Sequence, residues 1–156
     1  IALREKDLGL WRTFTWNDYQ DRVRDFALGL VELGLGRGDV IGIIGDNRPD
    51  WVAAEIAAHA IGAMSLGLYR DVLDDEAAYL LNYGEARLVF AEDEEQVDKL
   101  LNLADRAPHL KHIVYSDPRG MRKYDDPRLM EADKLAEMGR DRAAREPGIY
   151  DTGSFD

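Results

Sequence analysis

The chain has 156 residues, 46% of them hydrophobic, enough for one domain with a real core rather than a disordered tail. Its 31 acidic residues outnumber its 20 basic ones, and a net charge of −11 opposes nonspecific attraction to nucleic acid or to anionic membrane surfaces. The absence of cysteine excludes a disulfide framework and a thiolate metal site, and nothing in the composition asks for an oxidising compartment, so a cytoplasmic location fits best.

Residues 2–5 and 12–15 are short extended runs around Asp7, Leu8 and Gly9, the pattern of a β-hairpin. A helix follows at once: Thr15 and Asp18 form a start signal, and Tyr19, Val23, Phe26, Leu30 and Leu33 recur at alternating spacings of four and three. Gly34 ends it. The run Val40-Ile41-Gly42-Ile43-Ile44 reads as a strand covered on both faces and central in a sheet. Asp46 and Asn47 offer capping side chains and Pro49 suits a first helical turn, which predicts a helix over residues 50–61.

A strand is predicted over residues 63–68, and a helix from Asp74 to Tyr83 whose three leading carboxylates suit the helix dipole. Strand 88–91, helix 93–105 with Val97, Leu100, Leu101 and Ala104 inward, and strand 113–115 complete the series. Residues 116–127 are loop chemistry. Residues 129–145 read as a charged surface helix with Leu129, Ala132, Leu135 and Met138 inward, and residues 146–156 are linker-like in composition. The alternation predicts an α/β fold: a parallel, doubly wound, Rossmann-like sheet with helices on both faces, preceded by a hairpin. The expected organisation is an α/β unit over residues 1–116, followed by loop, surface helix and linker over residues 117–156.

No motif in this order of elements defines an active site. Gly34, Gly36 and Gly38 follow a helix and precede a strand, the reverse of a dinucleotide-binding loop, and read as a helix-ending turn. Gly45-Asp46-Asn47-Arg48 has the right order, strand then loop then helix, but lacks a glycine-rich loop, and Asp46 would repel a phosphate unless Arg48 offset it. Plain helix capping is the favoured reading there, with a ligand-facing loop as the alternative. Glu55 and His59 share a helix face without a third ligand beside them, and His109 and His112 flank a strand. Glu92-Asp93-Glu94-Glu95 lacks the spacing of a calcium loop and reads as a solvated helix start. Trp11, Trp16 and Trp51 read as packing anchors ahead of pocket walls. The stretch 52–68, the most apolar in the chain, is broken by Glu55, His59 and glycines and falls short of the roughly 20 apolar residues that span a bilayer.

Taken together, four stretches carry a resemblance. Phe14-Thr15-Trp16-Asn17-Asp18-Tyr19, then Leu33-Gly34-Leu35-Gly36-Arg37-Gly38-Asp39-Val40, resemble the opening of the adenylate-forming synthetase superfamily, whose first core motif runs Thr-Tyr-x-Glu-Leu. Asp46-Asn47-Arg48-Pro49-Asp50-Trp51 is similar to its Asn-x-Pro-Glu-Trp, and residues 59–69 resemble its second core motif. Where many relatives carry Val-Pro-Leu-x-Pro, this chain has Ser65-Leu66-Gly67-Leu68-Tyr69-Arg70-Asp71, which with residues 115–127 resembles bacterial long-chain fatty acid–CoA ligases.

The resemblance implies the first part of the amino-terminal domain of an acyl-CoA synthetase. The whole enzyme would join a carboxylate to ATP with magnesium, releasing pyrophosphate, and then exchange AMP for coenzyme A. The family's glycine-rich phosphate loop ending in lysine, its Tyr-Gly-x-Thr-Glu stretch, its ribose-binding aspartate and its catalytic lysine have no counterpart in these residues. No catalytic, cofactor-binding or metal-binding residue is therefore assigned, and the chain, which opens on Ile1 rather than methionine, is expected to be an inactive fragment. Fatty acid, ATP and coenzyme A are the expected partners of the parent, with homodimerisation and peripheral membrane association left open. The alternative is a self-contained flavodoxin-like or Rossmann-like module holding a nucleotide near residues 45–49 or 68–74.

Overall fold

The computed structural model describes residues 1–153. Strands β1 (Leu3–Asp7) and β2 (Leu10–Phe14) pair antiparallel about a two-residue turn at Leu8 and Gly9, tighter than the sequence suggested. Both turn residues have positive φ, 46° and 84°, the geometry whose twist matches that of the strands it joins. Helix α1 (Trp16–Glu32) begins with a complete capping box. The Asp18 N–H donates to Thr15 Oγ1 at 3.1 Å, and the Thr15 N–H donates to Asp18 Oδ2 at 2.8 Å, so two otherwise orphaned donors are satisfied.

The main sheet contains β3 (Val40–Ile44), β4 (Met64–Leu68), β5 (Ala86–Ala91), β6 (His112–Tyr115) and β7 (Leu129–Glu131), all parallel, in the order β4-β3-β5-β6-β7. Counted within the sheet this is the 2-1-3-4-5 order of flavodoxin-like folds, with its topological switch point between β3 and β5. Between the strands run α2 (Pro49–Ala60), α3 (Asp74–Tyr83) and α4 (Glu94–Asn102); α5 (Ala132–Arg145) and the short α6 (Ile149–Thr152) follow β7.

Side chains alternate along each strand between two cores. Ile41, Ile43, Leu88, Phe90 and Val114 join the core beneath α1, α2 and α5, whereas Ile44, Leu68, Val89, Ala91 and Ile113 join the one beneath α3 and α4. A sheet buried on both faces explains why its strands read as unbroken apolar runs. In the first core the Phe26 and Phe90 rings meet at 5.3 Å, tilted by 45°. Arg22 ties the three helices over that core together: it is bidentate to Asp50 of α2 at 2.9 and 2.8 Å and reaches Asp133 of α5 at 2.8 Å.

Four expectations are corrected. Leu129–Glu131 is a strand, not the first turn of a helix, because it adds to β6 in register with Ile113, Val114 and Tyr115. Its three residues are too few to show a period of two. Helix α5 accordingly starts at Ala132 and turns Ala132, Leu135, Ala136 and Gly139 inward against α1, leaving Leu129 and Met138 half-buried, so it is a core-covering helix rather than a surface one. Within the linker-like stretch, Ile149 is buried in α6 and Tyr150 packs on the first core; the final three residues of that stretch lie outside the described ones. The predicted helix over residues 93–105 also stops at Asn102, followed by a separate 3-10 turn at Ala104–Arg106.

Candidate functional site

In doubly wound sheets the crevice outside the carboxyl ends of the strands, at the switch point, is where ligands bind. Here that crevice is an open groove of about 1310 Å³. Its floor is formed by Ile43, Ile44, Phe90 and Ala91, one wall by the loop from Asp46 to Arg48 and the first turn of α2 through Trp51, and its cover by the β1–β2 hairpin. The backbone of the strands continues into it: the Glu92 N–H donates to the Ile44 carbonyl at 3.1 Å, and the Asp117 N–H to the Glu92 carbonyl at 2.8 Å.

Charged side chains dominate the groove, and its arginines are paired with carboxylates. Arg48 Nε lies 3.1 Å from Glu5 Oε1 of the hairpin and 3.7 Å from Glu92 Oε1. The second oxygen of Glu92 accepts from the Asp46 N–H at 2.7 Å. Arg70 bridges Asp46 at 3.1 Å, Glu95 at 3.3 Å and Asp93 at 3.5 Å, while Arg119 pairs with Asp117. The hydrogen bond from Arg119 holds the Asp117 carboxyl below its ordinary range, and the one that Arg70 donates to Glu95 raises the Arg70 guanidinium above its own. The carboxylates around these three arginines outnumber them, so the field they leave for a triphosphate is unfavourable.

The capping reading of the Asp46 loop fails in detail. The residue preceding α2 is Arg48, whose side chain makes no cap hydrogen bond, although Pro49 does occupy the first turn as expected. Asp46 instead accepts from Arg70. Glu92 is not part of a solvated helix start either; its side chain is 15% exposed, and it is Asp93 that caps α4 by accepting from the Gln96 N–H at 3.2 Å. Of the tryptophans, Trp51 lines the groove half-buried, but Trp11 and Trp16 are exposed and anchor no core.

The remaining sequence candidates lie elsewhere. Gly34, Gly36 and Gly38 form the turn after α1, where the Gly36 N–H donates to Asp39 Oδ2 at 2.8 Å. His59 Nε2 is 2.9 Å from Ser65 Oγ. His109 is exposed, and His112 opens β6, where burial and then the Arg87 charge lower its basicity. Among the described residues no group of three or more His, Cys, Asp or Glu is placed to hold a metal, and no helix is long and apolar enough to cross a membrane. In the 68–74 loop, the Arg70 and Val72 carbonyls accept from Lys99 Nζ at 2.8 and 2.9 Å, so that loop is fastened to α4 rather than open to a ligand.

A doubly wound sheet with a hairpin over its switch point defines an architecture rather than a reaction. Residues 1–147 match the family described as AMP-binding enzyme, and the chain belongs to that family. Among curated relatives it is 30% identical over 142 residues to the long-chain-fatty-acid–CoA ligase ACSBG2 of Xenopus laevis, covering 90% of this chain and 19% of that protein. It is 28% identical to the long-chain-fatty-acid–CoA ligase FadD15 of Mycobacterium bovis, covering 80% of this chain and 20% of that protein. The chain thus spans about a fifth of the length of these relatives. Its fold superposes on the adenylation and carrier didomain of a carboxylic acid reductase from Segniliparus rugosus, solved with AMP, with a TM-score of 0.74 at 18% identity over 88% of this chain and 23% of that one. It also superposes on an anthranilate CoA ligase, with a TM-score of 0.70 at 18% identity over 81% and 22%.

Proposed function

We propose that this chain is scaffold from an ATP-dependent long-chain fatty acid–CoA ligase. In that reaction a fatty carboxylate attacks the α-phosphate of ATP with magnesium present, giving acyl-adenylate and pyrophosphate; the coenzyme A thiol then takes the acyl group and releases AMP. The observation that carries this reading is the similarity to long-chain ligases across 90% of the chain. The groove supports the scaffold role, because Arg48, Arg70 and Arg119 are each committed to carboxylates of the chain itself. No step of the reaction is assigned to a residue of this chain.

The test is an assay of the longer gene product that contains this sequence, with ATP, coenzyme A and carboxylic acids of increasing chain length. Fatty-acid-dependent AMP release that rises toward long chains is the expected result. A protein that binds ATP but forms no AMP with any carboxylate would overturn the ligase reading and favour a nucleotide-binding module, the function that the flavodoxin-like strand order by itself suggests.

A further inference from the structure

We infer that the Glu92 carboxylate is a built-in anion that occupies the phosphate position of the switch-point crevice and closes it to phosphorylated ligands. The inference is independent of the ligase reading, since it rests on the crevice alone. In folds of this strand order a strand-to-helix loop at the switch point receives an anion through a backbone N–H, a nearby cation and a glycine that lets the anion come close. Each of those parts is present here, and each is taken by Glu92.

The backbone donor is Asp46, whose N–H gives its hydrogen to Glu92 Oε2 at 2.7 Å. The cation is Arg48, 3.7 Å from Glu92 Oε1. The glycine is Gly45, with φ of +143°; a Cβ there would stand 2.5 Å from Glu92 Cβ and 3.0 Å from Glu92 Oε2. The space that a missing side chain opens in a ligand loop is therefore filled by the chain's own carboxylate. Main-chain bonds hold it in place, from the Glu92 N–H to Ile44 and from the Asp117 N–H to the Glu92 carbonyl, so the carboxylate is delivered by the end of β5 and not by a mobile loop. Glu5 on the other side of Arg48, at 3.1 Å, shares that guanidinium with Glu92 and ties the hairpin to the plug.

The plug is tested by titrating the chain and its variants with inorganic phosphate and following the Asp46 amide by ¹⁵N-resolved NMR. Wild type is expected to show no saturable shift with millimolar phosphate. Glu92→Ala, which vacates the cradle, is expected to show a saturable shift of the Asp46 amide, with phosphate binding at least about tenfold tighter, the scale of one charge-assisted hydrogen bond. Glu92→Gln keeps the shape and removes the charge; it serves if the alanine variant does not fold, and a weaker saturable response is expected. The inference is overturned if wild type responds as strongly as the variants, or if a folded Glu92→Ala or Glu92→Gln protein stays as silent as wild type.

Discussion

Along the α1–α5 seam two helix backbones touch: a Cβ at Gly139 would fall on the Asp25 carbonyl oxygen, and one at Gly29 on the Leu135 carbonyl oxygen. At the crevice the elements stay apart and are joined by long charged side chains, Arg48 between Glu5 and Glu92 and Arg70 among Asp46, Asp93 and Glu95. Even the charge in the seam is handled differently. Asp25 is only 6% exposed and accepts from Arg24 at 3.2 and 3.0 Å and from Arg140 at 3.1 Å, so its burial is matched by fixed donors from both helices. The seam depends mainly on close packing, which salt and acid do not screen, and only in part on ion pairs such as Arg140–Asp25. The crevice, by contrast, is joined chiefly by partly exposed ion pairs that salt and acid weaken.

Three changes test that contrast. Gly139→Ala forces two backbones apart and is expected to destabilise the chain by about 3 kcal/mol in chemical denaturation, the upper range for overpacking. A loss below roughly 1 kcal/mol would show that the seam can relax and is not rigid. Arg48→Gln is expected to cost only about 1 kcal/mol, because one ion-pair partner goes while the apolar floor stays, yet to quicken amide exchange in the β1–β2 hairpin specifically. Equal acceleration across α1 and α5 would erase the distinction between the two regions.

Acid gives the smallest effect. Asp117 has its carboxyl lowered from the usual 3.8 by the hydrogen bond from Arg119, so the folded state binds a proton less readily than the unfolded one. Its contribution is fully present above pH 3.8 and is lost as the pH falls through the lower, folded value. Exchange measured on lowering the pH through that window should loosen the crevice loops before the seam, and Asp117→Asn should remove that part of the pH dependence. Loosening of the seam first would contradict the assignment.

Much of this was legible beforehand for a physical reason. Local signals specify local structure: the Thr15–Asp18 box, the proline opening α2, and apolar runs such as Val40–Ile44 report hydrogen bonding and burial within a few residues of themselves. The Leu129–Glu131 strand was not legible, because three residues acquire a strand identity only from the neighbour they pair with. Glu92 shows the same limit at the candidate site. Within its run of acids it is indistinguishable from a solvated helix start, and only the register of β5 against β3 brings it to Gly45 and Asp46.

The sequence by itself therefore determined the α/β alternation, the buried parallel strands and, through its motifs, the family, since each of these is written in spacing and residue type along the chain. Tertiary structure alone decided the strand order, the glycine seam between α1 and α5, and the occupation of the switch point by Glu92. Those features join residues dozens of positions apart, and a contact that exists only after the sheet has closed leaves no local period to read.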